Sequence, residues 1–174
     1  MARLDETRRV IWSTYVTSRP TKQPDIVNLR LIDFPTVAET DVKYYFKIAY
    51  DVVNGDFPGG VLVQISNSSS SPGNIIVETD SGWVPVAPGS TVNITTMPGA
   101  EGHYTVPTGI EFTKAGNYTG EVIVIGQLSE HNVVVRRLRY GVLNLPSRKV
   151  LIIVGTVLTA CAVGGLIYLY HKSK

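Results

Sequence analysis

The chain has 174 residues, of which only 17% are charged, and its formal net charge is +2. So small a charge argues against a protein that works by neutralising nucleic-acid phosphates. The single cysteine, Cys161, excludes an intrachain disulfide, a redox pair and a cysteine-rich metal site.

Residues 1–22 read as a basic N-terminal arm, with Arg3, Arg8, Arg9, Arg19 and Lys22 against Asp5 and Glu6. No apolar run of a secretory leader follows these arginines. The expectation is therefore a domain that folds before its membrane signal emerges, as in a tail-anchored protein. Ile11, Trp12 and Tyr15 favour docking of the arm on the domain, because exposed they would be a liability.

Residues 23–146 alternate short apolar runs with turn chemistry, the pattern of an all-β domain. DIVNLRLIDF (25–34) and VKYYFKIAYDVV (42–53) come first, and Asn54-Gly55 follows as a turn that tolerates positive φ. GGVLVQIS (59–66) precedes a Ser-rich loop at 67–74. NIIVETD (74–80) and GWVPVAPG (82–89) form a hairpin pair around Ser81. STVNITT (90–96), HYTVPTGIEFT (103–113), NYTGEVIVIGQL (117–128) and NVVVRRLRYGVL (132–143) complete the set. About eight or nine strands are predicted in an antiparallel β-sandwich, immunoglobulin-like or jelly-roll. The stretch from Lys114 through Gly116, Tyr118 and Gly120 into EVIVIG resembles the turn and late strand of many immunoglobulin-like sandwiches. The paired cysteines of true immunoglobulin domains are absent.

Residues 147–149 form a basic juxtamembrane linker, and 150–170 read VLIIVGTVLTACAVGGLIYLY without one charge. Crossing a hydrocarbon core of ~30 Å takes about 20 helical residues. Arg148 and Lys149 close the segment on one side, and the short basic tail 171–174 closes it on the other. Tyr168 and Tyr170 stand where interfacial aromatics are expected. One transmembrane α-helix is predicted here. Thr156, Ala160 and Gly164 recur every fourth residue, a small-residue ridge suited to helix packing.

Charge is distributed unevenly. Between Lys47 and Lys114 the chain has acids but no Lys or Arg, while after Glu130 it has no acid. Arg136, Arg137, Arg139, Arg148 and Lys149 are therefore expected to form a membrane-proximal basic end facing anionic headgroups. Three sequons, at Asn67, Asn93 and Asn117, are candidate glycosylation sites.

Catalytic patterns are missing. There is no Gly-x-Ser-x-Gly elbow, no phosphate-cradling glycine loop, and His103, His131 and His171 lie far apart in sequence. The expectation is a non-enzymatic protein with no cofactor, no metal, no small-molecule substrate and no nucleic-acid partner. Its expected partners are a lipid bilayer and other subunits of a membrane-associated assembly, including copies of itself. One setting is a minor structural protein linking a viral shell to its internal membrane. The alternative is an exterior, glycosylated accessory subunit or surface protein of a microbial, for example archaeal, membrane complex.

Overall fold

The computed structural model describes residues 22–147, so the arm, the apolar segment with Thr156, Ala160 and Gly164, and Arg148 and Lys149 lie outside it. Among the described residues no helix is long and apolar enough to cross a membrane. The strands are β1 (Asp25–Ile32), β2 (Val37–Glu39), β3 (Lys43–Val53), β4 (Val61–Asn67) and β5 (Ile75–Thr79). β6 (Gly82–Val86), β7 (Thr91–Met97), β8 (Gly102–Phe112), β9 (Gly116–Ser129) and β10 (Asn132–Leu145) follow.

They form two five-stranded sheets, ordered β1-β3-β8-β5-β6 and β2-β10-β9-β4-β7. All nine apolar runs of the sequence are strands. The tenth, β2, has three residues, too few to show a period of two. It pairs parallel with β10, Val37 opposite Leu143, so the sheets are not wholly antiparallel. Asn54 and Gly55 make the turn after β3, with φ of 64° and 119°.

Alternation decides what is buried. On β4, Val61, Val63 and Ile65 are fully buried while Leu62, Gln64 and Ser66 point outward. Ile48, Tyr50 and Val52 of β3, Ile110 and Phe112 of β8, and Val122 and Val124 of β9 meet them between the sheets. Phe34, just after β1, packs edge-on against Phe46 at 4.7 Å and leans on Tyr140 at 5.2 Å.

Polar pins fix the connections. Asn67 is buried, and its amide donates to the carbonyls of Gly73 and Val86, both at 3.0 Å, which holds the Ser-rich loop. Asn144, also buried, donates to Lys114 O at 2.7 Å and Thr40 Oγ1 at 3.0 Å. At the start of β9 the Tyr118 hydroxyl accepts from Lys114 N at 3.1 Å, closing the turn between β8 and β9. The turn is thus a corner in which a strand-opening tyrosine is bonded to backbone just upstream.

The registers also define two ends. Asp25 pairs with Val53 and Val52 with Gly102 at one end, reached by the start of β10. At the other, Asp41 N donates to Phe112 O and Thr40 N to Leu145 O, where β10 finishes.

Two tyrosines should respond oppositely to loss of the hydroxyl. Tyr50 is fully buried, and its hydroxyl has no hydrogen-bond partner among the described residues. Burial, reinforced by Tyr104 stacked at 5.4 Å, holds its ionisation far above the ordinary range. Tyr50→Phe removes an unsatisfied group and should leave the melting temperature unchanged or raise it. Tyr118→Phe breaks the corner bond and should cost ~1 kcal/mol. Thermal melts of the two variants beside wild type check both.

Candidate functional site

The outer face of the β2-β10-β9-β4-β7 sheet carries side chains in rows set by register. One row runs Thr96, Leu62, Ile125, Val135, and the next Asn93, Gln64, Ile123, Arg137. A third runs Thr91, Ser66, Glu121, Arg139. The solvent face of a sandwich is usually polar. Here Leu62, Ile125 and Val135 are only half-buried, and Val133 beyond them is 48% exposed. Leu62, Ile125 and Val133 border a depression of about 300 Å³ rimmed by Asn93, Thr96 and Gln127. Among the described residues none covers this apolar patch.

Of the expected membrane-proximal basic end, only the arginines of β10 lie within the described residues. They straddle the middle of one continuous strand, roughly 20–30 Å from Leu145 at ~3.3 Å per residue. They also have acidic partners brought from elsewhere in the chain. Arg136 reaches across to β1, its Nη2 at 2.6 and 2.8 Å from the two Asp25 oxygens and its Nε donating to Ile26 O at 3.0 Å. It thereby ties the two sheets together at the Val53 end. Arg137 and Arg139 flank Glu121 at 3.3 Å each on the outer face. The sequence could not reveal this, because Asp25 lies 111 residues from Arg136.

The outer face of the other sheet has two features. Gly109 faces Tyr45 across the ladder, and its missing side chain leaves room for the Trp83 ring, whose Cη2 would lie 2.5 Å from any added Cβ. Lys43 Nζ sits 4.3 Å from the centre of that ring, and Tyr45 meets it edge-on at 6.1 Å. Towards the Val53 end Asp51 stands directly opposite His103, with Oδ1 and Nδ1 2.5 Å apart. Thr105 Oγ1 lies 3.4 Å from His103 Nε2. The order hydroxyl, imidazole, carboxylate is that of a hydrolytic triad. Such chemistry also needs converging N–H donors for an oxyanion. The geometry is met as fully by an ordinary cross-strand hydrogen-bonded pair with a threonine neighbour. Asn28, held at φ 55° by the bulge in β1, donates to Asp51 Oδ2 at 2.6 Å. Among the described residues no group of His, Cys, Asp and Glu is arranged to hold a metal ion.

The sequons separate by exposure. Asn93 and Asn117 are exposed, Asn93 accepting from Gln64 at 2.7 Å. Asn67 is 1% exposed with its amide nitrogen committed to two carbonyls, so this fold leaves no room for a glycan there.

No protein-family model matches the chain, and none of the curated proteins matches it. Solved structures show a distant likeness. The CARDB domain of a Pyrococcus furiosus protein is 13% identical with a TM-score of 0.40, covering 70% of this chain and 95% of that one. AvmM, which catalyses macrocyclisation in alchivemycin A biosynthesis, is 11% identical with a TM-score of 0.43, over 71% and 91%. AggA, the major subunit of aggregative adherence fimbriae type I of Escherichia coli, is 9% identical with a TM-score of 0.36, over 71% and 96%. Likeness this remote concerns fold alone, a two-sheet β domain. It carries nothing about activity or partners.

Arg136→Gln should destabilise by ~1–2 kcal/mol, since it removes three charge-assisted bonds between sheets. Arg137→Gln and Arg139→Gln should stay within ~0.5 kcal/mol, as exposed pairs generally do. Chemical denaturation of the three variants gives the ranking. Asp51 offers a pH test. The bonds from Asn28 and then His103 lower its pKa below the ordinary 3.8. The folded state thus prefers the carboxylate, and this contribution is present above about pH 4 and lost as pH falls through the lowered pKa. Asp51→Asn should flatten the acid limb of the stability profile below about pH 4 and leave its neutral slope unchanged.

Proposed function

We propose that this chain is a non-catalytic structural and interaction protein, fastened to a lipid bilayer by residues 150–170, whose sandwich docks on protein partners. Within the all-β class the immunoglobulin-like arrangement is favoured over the jelly-roll. The Tyr118 corner supports it, as does division of the first strand region into β1 on one sheet and β2 on the other.

The observation that carries the reading is the separation of two apolar features along β10. The patch of Leu62, Ile125, Val133 and Val135 lies towards the start of this strand. The strand ends at Leu145, four residues before the uncharged run begins. At ~3.4 Å per residue β10 is a stiff spacer about 45 Å long. A protein bound at the patch is thereby held at a set height above the lipid. A shell-to-membrane tie needs that property, and a viral shell over an internal membrane is one such setting.

A second reading, an exterior and glycosylated subunit of a microbial membrane complex, draws support from the exposure of Asn93 and Asn117. Glycan mass on those two, with Asn67 unmodified, would favour it.

The full chain should stay with the membrane in alkaline carbonate. Ile125→Glu combined with Val135→Lys should lower the mass of its native membrane complex at least to that of the free chain, with carbonate resistance kept. Unchanged complex mass would remove the patch as the docking site. Carbonate release of the full chain would remove the anchor.

A further inference from the structure

Exposed large apolar side chains are not scattered over the domain. Among the described residues they are Val37, Val42, Tyr45, Leu143, Leu145 and Val133. All but Val133 lie towards the end where β10 finishes, Val37, Leu143 and Leu145 on one sheet and Tyr45 on the outer face of the other. Val37 pairs with Leu143 across β2 and β10. Val42 N donates to Glu39 O in the turn that follows β2. Tyr45, 64% exposed, lies two residues beyond Lys43, which pairs with Glu111 near the end of β8.

This rim is held firmly. Thr40 donates to Leu145 O through both its backbone N and its hydroxyl, each at 2.9 Å. Asn144 joins the same turn to the β8–β9 turn through Thr40 Oγ1 and Lys114 O. The apolar side chains are therefore presented by a clamped edge.

Sequence continuity says what covers them. Four residues, 146–149, separate Leu145 from the uncharged run, and the five steps from Leu145 to Val150 reach at most ~18 Å when extended. The polar zone of one leaflet is only ~5–8 Å deep. If 150–170 spans the membrane, the Leu145 end stands no more than ~10–13 Å above the headgroup layer. A gap of that height is about the width of a single helix, so the lipid surface is the occupant that chain continuity brings to this end.

We propose that Val37, Val42, Tyr45, Leu143 and Leu145 form a rim that seats the sandwich in the interfacial layer of the bilayer. The proposal rests on the reading of 150–170 as a span. The contact is apolar and aromatic in kind, with Tyr45 suited to the headgroup level. The charges around it are mixed, Lys43 and Lys114 against Glu39, Asp41 and Glu111. Seating fixes the tilt of the domain, so the distal patch points away from the membrane in one orientation.

Full chains with Cys161→Ser and a single new cysteine, Val42→Cys, Leu143→Cys or Val133→Cys, are labelled with a polarity-sensitive fluorophore. They are reconstituted in phosphatidylcholine vesicles that contain a headgroup nitroxide lipid. The labels at 42 and 143 should be blue-shifted and quenched several-fold more than the label at 133, unchanged by 0.5 M salt. Thermal melts of the exposed-site variants verify folding before labelling. Equal quenching at the three sites in carbonate-resistant protein overturns the rim and leaves the span standing. Carbonate release overturns the span and the rim with it. Disulfide cross-linking of two chains through Leu143→Cys would show a second copy on the rim and also overturns the proposal.

Discussion

The β9–β10 ladder is the constraint on which the rest depends. Thirteen residue pairs run without a break in strand identity from Asn132 opposite Ser129 to Asn144 opposite Gly116. A strand this long cannot be local decoration, since the common length is about five or six residues. It spans the domain from one end to the other, and each end is tied to the opposite half of the fold. Near its start Arg136 binds Asp25 and Ile26 of β1. At its finish Asn144 and Leu145 hold the turn after β2. The two apolar surfaces keep their spacing because they share this spine.

Buried polar groups sit where chain paths must be specified. Asn67 and Asn144 each place an amide nitrogen between two acceptors, yet the Oδ1 of each has no partner among the described residues. Leaving a buried acceptor unpaired costs about 1–3 kcal/mol. What is gained is uniqueness, because each amide joins segments that apolar packing alone would leave free to slide. The sequon at Asn67 thus coincides with a structural requirement for the asparagine itself.

Charge in this domain is arranged by pairing more than by polarity along the chain. The acid-poor stretch after Glu130 suggests a basic pole, but the fold sets Asp25 and Glu121 against its arginines. The acids Asp51, Asp56 and Glu101 gather with Arg136 at the end away from Leu145, Glu101 N donating to Asp56 Oδ1 at 2.8 Å. A linear run of one sign describes a local sequence, whereas potential at a surface depends on every strand that contributes to it.

Local periodicity determined much of this protein before any tertiary contact is considered. A period of two marks nine strands, because a half-buried strand must alternate, and Asn54-Gly55 marks a turn because few other residues accept positive φ there. The Lys114–Gly120 stretch was marked by resemblance alone, and the bond from Lys114 N to the Tyr118 hydroxyl appears only in the structure. Uncharged composition likewise marks 150–170 as a candidate span. The tertiary structure decided what depends on partners distant in sequence. β2 is three residues long and is a strand only because β10 lies beside it in parallel. Val37, Leu143 and Leu145 are apolar, and their register on an outer face leaves them exposed. The roles of Arg136 and Asn67 were hidden for the same reason. Each is set by an acceptor on another strand or loop, and a hydrogen bond between distant segments leaves no periodic trace in either.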